Sequence, residues 1–86
     1  MVRDTMSPPR VVVVVTTGCH LCDAATAVVS EVCADIDVSW ERQQLAELDE
    51  ARQDEWREYV PVVLIDGAVH DIFRVDRQRL RDALTR

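Results

Sequence analysis

Two cysteines separated by two residues, Cys19-His20-Leu21-Cys22, are the part of this chain whose type and spacing can do chemistry. Thiols at that spacing can close a disulfide, exchange it with another, or supply half of a metal knuckle. A structural zinc site takes four ligands, and the sequence holds no second pair at metal spacing. Two incidental buried thiols are the other alternative. Context decides: a bare C-x-x-C is a weak signal, whereas one held between a buried strand and a helix points to thiol–disulfide exchange.

If the helix begins at Cys19, unpaired backbone N–H groups and the positive end of the helix dipole favour its thiolate, the reactive form. Cys19 is then the nucleophile. Cys22, one turn further in and facing the sheet, is the thiol that resolves a mixed disulfide. His20 projects away from the core, where it is either a solvated residue or, when positive, a further stabiliser of the Cys19 thiolate. Cys33 shares the helix face of Cys22, but eleven residues at about 1.5 Å each put it roughly 16 Å away, beyond any disulfide. It reads as a small core residue. His70, in a strand beside Asp71 with no cysteine near it, reads as an exposed polar position without a role.

The elements that must hold the cysteines follow from the apolar pattern. Residues 1–10, with Ser7-Pro8-Pro9, read as a mobile tail, and residues 11–86 as one domain. Val11 to Val15 is an all-β-branched run, the mark of a strand buried on both faces. Thr16-Thr17-Gly18 breaks it, and from Cys19 a helix follows, with Cys22, Ala25, Val29, Val32 and Cys33 on one stripe. Asp37 to Glu41 alternates as a half-exposed second strand, parallel to the first because a single helix crosses between them. Arg42 to Trp56 is rich in helix formers, with Leu45, Leu48 and Trp56 near one face and Arg52 inside that stripe. Pro61 opens a strand over residues 62–65, and Asp66-Gly67 turns it into an antiparallel partner over residues 68–73. Asp76 caps a last helix carrying Leu80, Ala83 and Leu84. Trp40 and Trp56 read as packing residues.

The whole chain narrows the class further. At 86 residues, 48% apolar and 30% charged, it is expected to fold as one small domain. A net charge of -6 repels phosphate backbones and anionic lipid alike, so nucleic acid and membranes are not expected partners. No apolar run approaches a membrane span or a secretory core, and three cysteines do not make a paired framework, so a cytoplasmic, reducing setting is expected.

Thr-Thr-Gly-Cys-His-Leu-Cys at 16–22 and Val-Pro-Val-Val-Leu-Ile-Asp-Gly at 60–67 resemble the thioredoxin superfamily, most of all its short glutaredoxin-like members, over nearly everything after the tail. The resemblance implies an α/β fold of order β-α-β-α-β-β-α, a four-stranded mixed sheet with helices on both faces. It implies a cis Val60-Pro61 bond beside the cysteines, with Val60 backbone groups pairing with an extended substrate. Thr17, Gly18, His20 and Leu21, with Val60 and Pro61, form the expected substrate-contacting set around the catalytic Cys19 and Cys22.

The function so implied is dithiol exchange by a monomer with a disulfide-bearing protein or a small thiol. A redox-inactive binding module, a dimer holding an iron–sulfur cluster through Cys19, and a redox sensor are the competing readings. Glutathione-binding relatives carry a Gly-Gly pair after the fourth strand, where this chain has Asp71-Ile72, and a basic residue three before the first cysteine, where it has Thr16. Asp76 lies about one residue from the acidic pair that holds the glutathione amine in such relatives. These departures weigh against a glutathione site. No cofactor is expected, and the electron donor is open between glutathione and a thioredoxin-type reductase system. The buried carboxylate that thioredoxins carry in their first strand is replaced by valine, which implies glutaredoxin-like kinetics.

Overall fold

The computed structural model describes residues 9–85. The tail expected over residues 1–10 lies outside the described residues as far as residue 8. Arg10 is tied to the fold: its N–H donates to Ser39 Oγ (3.1 Å), and its guanidinium pairs with Asp66 (3.2 Å) and donates to the Leu84 carbonyl (3.4 Å).

The sheet has strands β1 (Val11–Val15), β2 (Trp40–Gln44), β3 (Val62–Ile65) and β4 (Ala68–Ile72) in the order β2-β1-β3-β4. β2 runs parallel to β1, while β3 pairs antiparallel with β1 and β4 antiparallel with β3. An interior strand needs apolar side chains on both faces, which the five valines of β1 supply. Val11, Val13 and Val15 belong to a core with helices α1 (His20–Asp35) and α3 (Arg77–Leu84). Val14 and Val12 face the opposite side, where Leu45, Leu48 and Trp56 cover the sheet. Helices therefore flank both faces, as expected.

All five residues of the α1 stripe are buried, and they meet Leu80 and Leu84 of α3. Full burial of each large aliphatic side chain stabilises the fold by about 1.5–3 kcal/mol. Arg77–Glu31 and Arg81–Asp35 (2.7 Å) link the two helices at the surface. Exposed pairs of this kind contribute roughly 0–1 kcal/mol, so packing dominates. The Asp76 carboxylate caps α3 by accepting the Arg79 N–H at 2.8 Å.

Two expectations are corrected in the middle of the chain. The second strand begins at Trp40, not Asp37: Asp37 turns with φ 58°, and the Val38 N–H is taken by the Cys33 carbonyl at 2.9 Å. The helix expected from Arg42 starts only at Glu50. Arg42, Gln43 and Gln44 are instead extended, paired with Val13, Val14 and Val15. Pairing along a buried strand outweighs the few tenths of a kcal/mol per residue that helix propensity offers. A short 3₁₀ helix (Leu45–Glu47) and α2 (Glu50–Trp56) follow, α2 being capped by the Asp49 carboxylate on the Arg52 N–H (2.8 Å). Arg52 fits within the apolar stripe because it lies over the Trp56 ring, 5.1 Å from its centroid, and bonds Glu55 outside.

The hairpin of β3 and β4 turns at Asp66 (φ 50°) and Gly67 (φ 87°), the left-handed pair that a tight two-residue turn requires. β4 ends at Ile72, one residue short of the expected run, and Val63 pairs with Asp71 while Leu64 pairs with Val69, so His70 is an extra, bulged residue. That bulge corrects the reading of His70 as exposed. It is half-buried, its Nε2 is shielded from solvent without a hydrogen-bond partner, and it faces a cavity of about 310 Å³ with Arg79 and Asp82. Among the described residues no helix is long and apolar enough to cross a membrane.

Candidate functional site

Strand register gathers the site at one end of the sheet. β1 leaves the sheet at Val15, next to Gln44 at the end of β2, and Val14 pairs with Val62 at the start of β3. Val62 in turn pairs with Ile72, the last residue of β4. Thr16 to Cys19, Val60-Pro61 and Phe73 to Val75 must therefore emerge at the same end. Sequence spacing could not state this, because it depends on which strands are neighbours.

Gly18, at φ 75°, turns the chain from strand to helix in a region of backbone space that side chains rarely adopt. Cys19 is the N-cap of α1, and its Sγ accepts the Cys22 N–H at 3.1 Å. A sulfur thus takes the position usually held by a serine, threonine or aspartate oxygen. The N–H and the helix dipole both direct positive potential at it.

Cys22 lies one turn in and is only 2% exposed. Burial, reinforced by its hydrogen bond with Cys19 and opposed by Thr16, pushes its thiol up to about 11. A cavity of about 210 Å³ behind it is lined by Thr16, Thr17, Asp23, Thr26, Arg42 and Gln44 among others. Cys33 is 1% exposed in the core with its thiol raised by burial, and all three cysteines are free thiols. Thr17, Gly18 and His20 are exposed, as is Leu21 between the two cysteines.

The Val60-Pro61 peptide is cis, and the Pro61 ring is fully buried at the start of β3. The Pro61 carbonyl accepts the Phe73 N–H at 2.9 Å. Val60 packs against the same core as Cys19. Among the described residues neither its N–H nor its C=O joins a backbone hydrogen bond. Among the described residues no group of three or more His, Cys, Asp or Glu side chains is arranged to hold a metal ion.

Three neighbours of the site escaped sequence reasoning: Tyr59, Phe73 and Arg74. The Tyr59 and Phe73 rings lie 6.0 Å apart, and Phe73 holds φ 64°, a costly conformation for a bulky residue. No periodicity marks such positions, since they lie outside every regular element.

Residues 10–85 match the family described as Glutaredoxin-like domain (DUF836). No curated protein matches the chain. Among solved structures, a structural-genomics target protein from X. campestris is similar, with a TM-score of 0.69 at 24% identity over 86% of this chain and 93% of that one. A thioredoxin-like protein, crystallised as a mutant, is similar with a TM-score of 0.56 at 22% identity over 87% of this chain and 99% of that one. These two likenesses show the fold, which is thioredoxin-like.

Proposed function

Because the chain belongs to the glutaredoxin-like domain family, we propose that it is a thiol–disulfide oxidoreductase working through Cys19 and Cys22. One observation carries the reading: Cys19 Sγ at the start of α1 receives the Cys22 N–H, with the Cys22 thiol buried directly behind it. A half-exposed sulfur set in positive potential is the natural nucleophile, and a buried thiol within a turn of it is the natural resolving group.

The Cys19 thiolate attacks one sulfur of the substrate disulfide, whose S–S bond breaks. The departing thiolate takes up a proton, and a Cys19–substrate disulfide forms. Cys22 then loses its proton to solvent, attacks Cys19 Sγ and closes the Cys19–Cys22 disulfide, expelling the second substrate thiolate. Two electrons have passed from the dithiol to the substrate. An external dithiol, or two equivalents of a small thiol such as glutathione, restores the reduced form. The unpaired main-chain groups of Val60 support its role as the edge along which an extended substrate aligns, with Pro61, Thr17, Gly18, His20 and Leu21 around it.

Turnover of a small disulfide in the presence of a thiol reductant tests this. The wild type is expected to turn over and Cys19→Ser is not. Below about 11 only a small, pH-dependent fraction of Cys22 is thiolate, so the resolving step is expected to quicken about tenfold per unit from about pH 7 to about pH 10. Equal activity of wild type and Cys19→Ser would overturn the reading.

A further inference from the structure

Among the described residues four large apolar side chains are exposed, Leu21, Tyr59, Val69 and Phe73. Three of them surround the proposed site. Leu21 lies between the cysteines, Tyr59 precedes Val60, and Phe73 sets its ring beside that of Tyr59 and donates its N–H to the Pro61 carbonyl. Leu21 and Phe73 line one cavity of about 240 Å³ with Ala24, Val28, Val75 and a single charged residue, Arg74. That volume falls below the roughly 300 Å³ at which small-molecule pockets begin, and suits one large side chain rather than a whole ligand.

Arg74 adds a second feature. Six of the eight described arginines, at 10, 52, 57, 77, 79 and 81, are held in ion pairs. In a chain of net charge -6, Arg74 has no ion-pair partner among the described residues although acidic side chains outnumber basic ones. A guanidinium beside an apolar cavity, left without a carboxylate of its own chain, is complementary to a carboxylate on something that docks there.

Resting on the oxidoreductase reading above, we propose that this cavity selects polypeptide disulfides: it receives an apolar side chain next to the substrate cysteine, and Arg74 pairs with an adjacent carboxylate. Phe73 lines the cavity and donates its N–H to the Pro61 carbonyl, which sets the cavity beside the edge along which a substrate strand is proposed to lie. The proposal separates an acidic, apolar polypeptide from glutathione, which offers carboxylates but no large side chain.

Competition between substrates tests this. Specificity constants are measured for two peptide disulfides, one with leucine and glutamate beside the cysteine and one with serine and lysine, and for glutathione disulfide and hydroxyethyl disulfide. The wild type is expected to prefer the leucine–glutamate peptide to the serine–lysine peptide by about tenfold, through KM. Phe73→Ser and Arg74→Glu should each erase most of that ratio. Equal rates on both peptides, a preference untouched by either substitution, or a faster reaction with glutathione disulfide than with the leucine–glutamate peptide would overturn the proposal while leaving the oxidoreductase reading intact. Failure of the wild type on all four disulfides would instead overturn that reading. Calorimetry of the leucine–glutamate peptide, with serine in place of its cysteine, then decides the subsite by itself: Arg74-dependent binding upholds it and no binding overturns it.

Discussion

Cys22→Ser is expected to accumulate a mixed disulfide at Cys19 when mixed with a peptide disulfide, and Cys19→Ser to form none. Cys19 still attacks in the first variant, because its place at the helix start does not depend on the Cys22 side chain: the N–H it accepts belongs to the Cys22 backbone. What is lost is the thiol one turn inward. Release then waits for a thiol from solution, which must be captured and oriented at each encounter, and release of the bound peptide should slow about a hundredfold or more at millimolar thiol. Serine in place of Cys19 removes the nucleophile itself. Intact mass under non-reducing conditions reads the result as a peptide adduct, and proteolytic mapping assigns it to Cys19. An adduct on Cys33, or equal adducts in both variants, would contradict the assignment.

Leu80→Ala should produce the largest loss of stability. Leu80 is completely buried and is the largest such side chain, set where α3 meets the valines of α1 and β1. Truncation removes its transfer energy and leaves a cavity, a cost of about 2–5 kcal/mol. A chain of this size has about 5–15 kcal/mol in total and sits toward the low end, so the variant should melt at least about 10 °C lower. Val69→Ala, at a position 53% exposed, should change stability by no more than about 0.5 kcal/mol. Urea unfolding of both variants checks the contrast, and comparable midpoints would contradict the packing described.

The parts of the fold legible in the sequence are those where one strong local pattern agrees with the tertiary environment. Val11–Val15 needs both faces covered and has them. The Cys22, Ala25, Val29, Val32, Cys33 stripe is buried residue for residue. Asp66-Gly67 and Asp76 place a turn and a cap through their own side-chain and backbone chemistry. Where local preference and tertiary pairing disagree, the sequence misleads. Arg42-Gln43-Gln44 would be good helix, yet it is the partner of a buried strand. His70 is misread because a bulge breaks the period of two on which strand reading rests.

The candidate site divides in the same way. Cys19 and Cys22 announce themselves by spacing, and the helix start between them follows from the break at Gly18. The side chains that would give selectivity do not: Tyr59, Phe73 and Arg74 come together only because β3 and β4 end beside the loop after β1. Their signal lies in sheet order, which local periodicity does not contain.

Equilibrating the protein with dithiothreitol buffers of graded potential, alkylating the remaining thiols and weighing the products tests the dithiol assignment most directly. Two thiols are expected to disappear together along a two-electron curve, with the bond mapped between Cys19 and Cys22 and Cys33 alkylated after denaturation at every potential. Independent oxidation of Cys19 and Cys22, or a bond that includes Cys33, would contradict it.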